Sequence, residues 1–368
     1  MGAQPEENMP MYHHIATAVF LIMGLAKPGD DPAPALPPHP ASYLCLKTET
    51  PPVLDGSLDD PAWTHAPWTD DFQDIQGDRR PRPRFRTRAK MLWDDRFFYV
   101  AAEMEEPHVN GFLTRHDSVI FQDNDFEVFI DPDGDTHRYY EFEINALNTG
   151  WDLFLPRPYR AGGVAVDSWE IPGLRTAVAI QGTINDPADT DRGWTLELAF
   201  PWAVLAEHAG KPAPPRPGDQ WRVNFSRVQW KYDIVDGAYR KTPDTPEDNW
   251  VWSPQGVIDM HRPELWGVVE FANADADLAT TRPRPLADWN DRAAVMAVFQ
   301  AQTDHKHARG TYAATIDELG LAPLGVTLIL TRAGFVAQKG GWEVRQDSLL
   351  RKVVITPEDF PKSTSSNP

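Results

Sequence analysis

Two segments of this chain place carboxylates at alternate positions. In Asp125 to Asp131, Phe126, Val128 and Ile130 alternate with Asp125 and Glu127, and in Arg138 to Asn145, Tyr140, Phe142 and Ile144 alternate with Glu141, Glu143 and Asn145. Residues two apart in a strand share a face, so each segment predicts a strand with one apolar and one acid-bearing side. The link Asp131-Pro132-Asp133-Gly134-Asp135 carries turn chemistry, which pairs the strands as a hairpin and gathers four carboxylates and an amide on one face. Such a face either lies open to water or binds something. Glycoside hydrolysis needs a proton donor of raised pKa and a second carboxylate about 5 to 9 Å away. Glu127 with Glu143, assisted by Asp152 or His137, is the candidate catalytic set, and the crowding of like charges raises at least one pKa.

Other chemistry is less well supplied. Asp131, Asp133 and Asp135 offer hard oxygen ligands suited to calcium, but the twelfth position of a calcium loop starting at Asp131 holds Phe142 in place of glutamate, so the segment reads as a solvated turn. His13, His14, His116, His137 and His261 lack zinc spacing, although His305 and His307 sit close together at a charged helix end. No metal and no cofactor is assigned. There is no Gly-x-Ser-x-Gly elbow and no phosphate-binding glycine loop.

The elements that must position these residues are short strands separated by turns, the pattern of an antiparallel sandwich. Strands are expected at Arg88 to Trp93, Phe97 to Met104, Asp125 to Asp131, Arg138 to Asn145, Trp151 to Leu155, Leu174 to Gly182, Trp194 to Phe200, Trp221 to Trp230 and Trp266 to Phe271, with one helix from Pro201 to His208. Trp63, Trp93, Trp194 and Trp221 are expected in the core, and Cys45 as a packed thiol in a buried strand. Residues 43 to 272 form the sandwich in this reading, 273 to 285 a linker, 286 to 358 a small α+β region and 359 to 368 a disordered tail. A helix is expected over Leu286 to His307, with strands at Val326 to Thr331, Gly334 to Gln338 and Trp342 to Gln346. The apolar run Ile15 to Ala26 is too short to span a bilayer and suits a signal segment covering residues 1 to 26, followed by a Pro-rich tether from 27 to 42. Export to the periplasm, cell surface or medium follows, with no membrane span in the mature chain. Of 368 residues 35 are proline, and the formal charge is −19. That charge repels nucleic acid and tolerates neutral glycans.

Three pieces occur in a set order: Val53-Leu54-Asp55-Gly56-Ser57-Leu58-Asp59-Asp60-Pro61-Ala62-Trp63, then Leu92-Trp93-Asp94-Asp95, then Phe126-Glu127-Val128-Phe129-Ile130-Asp131. In this order and spacing, residues 45 to 272 resemble the family 9 carbohydrate-binding modules. The resemblance implies an all-β, antiparallel β-sandwich that holds a saccharide on one sheet during extracytoplasmic polysaccharide breakdown. It implies that Glu127 hydrogen-bonds the sugar and that Phe121 stands near a clamping tryptophan of the family. Glu143 replaces an arginine, Ser226 a glutamine, and Met260 or His261 the second tryptophan, so the ledge is retained while the glucose clamp is not. Asn145, Asn224 and Ser226 supply polar groups beside it. Trp252, with Trp250, stands on Asn249 to Gly256, where the two rings suit ligand stacking or core packing equally. A hydrolase or lyase built on the Glu127/Glu143 ledge is the alternative, and a structural or surface adhesion protein the third class.

Overall fold

The computed structural model of the chain describes residues 35 to 353. Fourteen described strands come first: β1 (Ser42–Lys47), β2 (Gln73–Asp74), β3 (Thr87–Trp93), β4 (Phe97–Glu105), β5 (Asp125–Asp131), β6 (Tyr139–Asn145), β7 (Gly150–Leu155), β8 (Arg175–Gln181), β9 (Gly193–Pro201), β10 (Gln220–Gln229), β11 (Tyr232–Val235), β12 (Ala238–Lys241), β13 (Asp248–Val251) and β14 (Gly267–Ala272). Ten of them run side by side in the order β7-β6-β5-β10-β14-β1-β3-β4-β9-β8. All these neighbours are antiparallel except at β1, which pairs in parallel with β14 through Ser42 to Leu46 and then with β3 at Leu46 and Lys47. That strand carries the chain from one half of the curled sheet to the other. The halves face each other across the core, because Phe142 on β6 meets Phe200 on β9 with ring centroids 5.9 Å apart, and Phe98 on β4 meets Phe271 on β14 at 6.1 Å.

Alternation decides what fills the gap. Phe126, Val128 and Ile130, then Tyr140, Phe142 and Ile144, point inward beside Met91, Val100, Leu196 and Leu198 in one apolar cluster. Trp93, Trp194, Trp221 and Cys45 are buried as expected, and burial pushes the Cys45 thiol pKa well up, which keeps it an inert packing group. The turn at Asp94 forms with its carboxylate accepting the backbone N–H of Arg96 and Phe97.

The outer side of the second half-sheet is roofed by the Val53 to Trp63 segment. Trp63 is fully buried among Leu44, Leu92, Phe97, Tyr99 and Ala199, and its indole Nε1 donates to Glu197 Oε1 on β9 at 2.7 Å. The other Glu197 oxygen accepts the backbone N–H groups of Asp55 and Gly56 at 2.9 and 2.8 Å. Gly56 has φ +86°, and a Cβ there would come within 2.6 Å of the backbone of Val178 and Ala179. The Asp-Gly pair is therefore required by a close backbone approach as well as by a turn.

The expected helix from Pro201 shortens to one turn, α1 (Trp202–Leu205), because the His208 N–H donates to the Tyr140 hydroxyl at 3.0 Å and leaves the helical ladder. Beyond β14 come α2 (Trp289–Arg309) and a four-stranded sheet of β15 (Thr327–Leu330), β16 (Phe335–Lys339), β17 (Trp342–Arg345) and β18 (Arg351–Lys352). Val295, Val298 and Phe299 of α2 pack on Phe335, Ala337 and Val344. This unit rests on the β5–β6 turn through Leu350 N–H to Asp135 O at 2.9 Å and Thr136 Oγ1 to Ser348 O at 2.8 Å. The expected signal segment and the first half of the expected tether lie outside the described residues, as does the expected C-terminal tail. No described helix is long and apolar enough to cross a membrane.

Candidate functional site

Strands β10, β5, β6 and β7 lie side by side, and their register builds the site. Ser226 pairs with Glu127, Glu127 with Glu143, and Glu143 with Trp151, which forms one continuous rung across the outer face. The next rung runs Asn224, Phe129, Glu141, Leu153. The face is thus more mixed than alternation alone suggests. Phe129, Tyr139, Leu153 and Leu155 form an apolar half, covered by Trp266 and Met260, while Glu127, Glu141 and Glu143 form an acidic half beside Asp125.

These acids do not stand open to water. Asp125, Glu127, Glu141 and Glu143 are 0, 6, 4 and 2% exposed, and oxygens of Asp125, Glu127 and Glu143 come within 4.8 Å of one another. Among the described residues no Lys or Arg forms an ion pair with any of the four. Burial raises all four pKa values, and mutual repulsion adds to the rise at Asp125, Glu141 and Glu143. For Glu127 burial pushes the pKa up to about 7, with Glu247 adding to it and the Ser226 hydroxyl opposing it. At neutral pH the cluster therefore holds protons, and its carboxyl groups present both donors and acceptors.

Two exposed aromatic side chains, Phe121 and Tyr159, stand on the side of the acid rung. Phe121 is 39% exposed. Its N–H donates to Glu143 Oε2 at 2.9 Å, its carbonyl accepts from Trp230 Nε1 at 2.8 Å, and its ring stacks on Trp151 at 6.4 Å and 28°. Tyr159 is 46% exposed and is braced at 4.4 Å by the His261 ring, whose Nδ1 pairs with the Tyr139 hydroxyl at 2.9 Å. Burial lowers the His261 pKa to about 4, so this ring is neutral. An ion pair of Arg160 with Glu264 at 2.6 Å fixes the loop next to Tyr159.

Two buried polar atoms in this region, Asp125 Oδ2 and Trp151 Nε1, lack a hydrogen-bond partner in the protein, while the Glu141 carboxyl shares a hydrogen bond with Glu143. Buried polar groups are almost always paired, and an unpaired one costs about 1 to 3 kcal/mol. A carboxyl oxygen and an indole N–H left over beside two exposed rings are the markings of a site for a ligand with hydroxyl groups.

The structure removes several residues expected in the site. Asn145 is saturated, donating to Leu113 O and Asp123 Oδ2 and accepting the N–H of Leu147 and Thr149. Asn224 is likewise closed on both sides by the Ser253 backbone. Trp252 is 3% exposed and lies in the inner core against Tyr43 and Phe225, because its N–H pairs with the carbonyl of inward-facing Phe225. Trp250 is buried with it. His137 is at the far end of β6, where Nε2 contacts Asp347 O at 2.8 Å. Asp152 points to the opposite face of β7 from Trp151 and accepts the Ile171 N–H. Neither assists Glu127 and Glu143. Directly paired across adjacent strands, these two glutamates are closer than the roughly 6.5 to 9.5 Å that seats a water in an inverting glycosidase. Asp131 accepts the N–H groups of Gly134 and Thr136 at 3.0 and 2.9 Å, and Arg138 pairs with Asp135 at 3.0 Å, which is the bonding of a turn.

Sequence reasoning missed Trp151 and Tyr159, and it placed Glu141 on the face without a role. The period of two, continued through the 146 to 149 turn, sets Trp151 opposite Glu143; nothing in the local sequence marks Tyr159. A cavity of about 600 Å³ lies elsewhere, lined in part by Arg84, Arg86, Glu103, Glu105, Asp191 and Arg192. Of its charges, Arg86 and Glu103 pair at 2.7 Å, and none of these six residues has a buried unpartnered polar atom. The acid rung is the better candidate on chemistry.

The pKa of Glu127 gives a pH test. Its folded value of about 7 exceeds the unfolded value of about 4.3, so the folded state retains a proton that the unfolded state releases. Stability therefore declines as pH rises from about 4.3 through 7. Glu127→Gln cannot ionise and escapes that decline. Its melting temperature should gain on the parent's as pH rises from 4 to 8; a gap that stays constant across this window contradicts a buried, proton-holding Glu127.

A family model described as carbohydrate family 9 binding domain-like matches residues 54–271. The exoglucanase XynX of Acetivibrio thermocellus is 25% identical over 154 residues, which is 42% of this chain and 12% of that protein. Endo-1,4-beta-xylanase A of Thermoanaerobacterium saccharolyticum is 24% identical over 159 residues, 43% of this chain and again 12% of that protein. The chain thus matches a small part of each relative's length. Among solved structures, a family 9 carbohydrate-binding module of Caldicellulosiruptor kristjanssonii in complex with cellotriose is 16% identical with TM-score 0.42, covering 66% of this chain and all of that one. A putative carbohydrate-binding protein of Bacteroides uniformis is 18% identical with TM-score 0.45, covering 63% and 99%.

Proposed function

This chain belongs to the carbohydrate family 9 binding domain-like proteins, and on that premise we propose that it binds a neutral saccharide on the outer face of β5, β6, β7 and β10. The observation that carries the reading is the pair of unpartnered buried atoms, Asp125 Oδ2 and Trp151 Nε1, beside the exposed rings of Phe121 and Tyr159. Sugar hydroxyls supply the missing partners, and pyranose C–H faces pack on aromatic rings. Glu127 and Glu143 are the further hydrogen-bonding groups, and Ser226 sets Glu127 in place. The acidity of the face favours uncharged sugars, since a uronate would add a negative charge to a recess without an ion-paired cation. Because the relatives are named as an exoglucanase and an endo-1,4-beta-xylanase, we place the saccharide in the context of polysaccharide breakdown and the protein outside the cytoplasm.

A panel of neutral, amino and uronic oligosaccharides tests the class. Neutral members should bind and polyuronates should not. Polyuronate binding at equal affinity, or no binding to any glycan, defeats the proposal.

A further inference from the structure

Opposite Trp151, across β7, a second group of polar atoms converges, in which Asp152 Oδ1 and Asp117 Oδ1 lack a hydrogen-bond partner while His116 Nε2 pairs with Glu170 Oε2 at 3.2 Å. The Nδ1 of His116 lies 2.9 Å from the Gly150 carbonyl, which accepts only if that nitrogen carries the hydrogen. The Nε2 lone pair then faces three carboxylate oxygens: Glu170 Oε2 at 3.2 Å, Asp117 Oδ1 at 3.3 Å and Asp152 Oδ1 at 3.4 Å. Asp152 is 2% exposed. One of its oxygens takes the Ile171 N–H, while Oδ1, aimed at His116, has no hydrogen-bond partner, and neither has Asp117 Oδ1. Protonating His116 supplies a single hydrogen for three oxygens.

We propose that His116, Asp152 and Glu170, whose donor atoms lie within 4.8 Å of one another, form a binding site for a divalent transition metal, zinc foremost. Ligands held about 2.0 to 2.1 Å from a tetrahedral ion stand about 3.3 Å from one another, and His116 Nε2 lies 3.2 and 3.4 Å from the Glu170 and Asp152 oxygens. The imidazole favours zinc over the hard ions that carboxylates alone would hold, and one imidazole with two carboxylates leaves the fourth tetrahedral position to water. The Nδ1–H to carbonyl bond is the arrangement that orients a metal-binding histidine. The ligands come from three segments: the loop bearing His116 and Asp117, strand β7, and the loop bearing Glu170. A bound ion ties the loop from Arg115 to Gln122 to β7, and that loop also carries Phe121 of the saccharide recess.

The test reads the metal directly and is independent of any sugar. Full-length protein stripped with chelator is titrated with zinc by calorimetry, the bound metal is counted by mass spectrometry, and cobalt is used as a coloured substitute. His116→Ala and Glu170→Gln change exposed side chains, and thermal melts without metal check that both remain folded. The parent should retain one zinc more than His116→Ala and show the visible bands of tetrahedral cobalt. Affinity at that site should fall about 100-fold in His116→Ala and about 10-fold in Glu170→Gln, and zinc should raise the parent's melting temperature but not that of His116→Ala. Equal zinc content and equal melting shifts in parent and variants, or no zinc bound by the parent at micromolar concentration, overturn the proposal and leave the cluster as an ion pair of protonated His116.

Discussion

Trp63→Ala is expected to lower the unfolding free energy by about 3 to 5 kcal/mol, as replacing a large buried aromatic residue with alanine does. Two terms combine. The indole is fully buried between the sheet and the amino-terminal segment, so its loss leaves a cavity that rigid strands cannot fill. Its Nε1 also donates to Glu197 Oε1, and that carboxylate is itself buried and keeps only the two backbone donors from Asp55 and Gly56. The Val53 to Trp63 segment should detach from β9 with it. Urea titration measures the loss, and the folded fraction should bind saccharide with unchanged affinity because Trp63 lies behind the other half-sheet. Normal stability with selective loss of binding contradicts this assignment.

Glu127→Gln should weaken saccharide binding by about 1 to 3 kcal/mol, the worth of one hydrogen bond to a charged or proton-sharing group. The amide retains shape, one acceptor and the reach to Ser226. It cannot give or take the carboxyl proton, so a hydrolase using this residue should lose turnover by about a hundredfold or more while still binding. Calorimetry and a reducing-end assay on the same variant separate the two cases. The expected result is graded affinity loss in a parent that makes no new reducing ends. Cleavage by the parent that disappears in Glu127→Gln overturns the binding reading in favour of catalysis.

The acid rung was legible because a strand's period of two fixes which side chains share a face, and Asp131 to Asp135 fixes the hairpin between the strands. Strand limits came through for the same reason, as with Leu174 to Gly182 against the observed Arg175–Gln181. The parallel joins of β1 were not legible, since pairing depends on residues more than 40 positions apart or more than 200. Polar side chains misled where backbone groups claimed them: Asn145 and Asn224 look free in sequence and are spent on a turn and on Ser253. Trp252 misled in the other direction, because a loop tryptophan beside polar residues resembles a platform until its N–H is seen bonded to the inward-facing Phe225. The His116 cluster escaped any motif search because its ligands come from three separate segments, with His116 and Glu170 54 positions apart.

The central claim is that a saccharide occupies the recess over the Ser226-Glu127-Glu143-Trp151 rung, and a crystal soaked with the best-binding oligosaccharide tests it most directly. The predicted result is a sugar ring between Phe121 and Tyr159, with hydroxyls within about 3.2 Å of Asp125 Oδ2 and Trp151 Nε1. A sugar seated in the cavity between Arg84 and Arg192, with the acid rung unchanged, contradicts it.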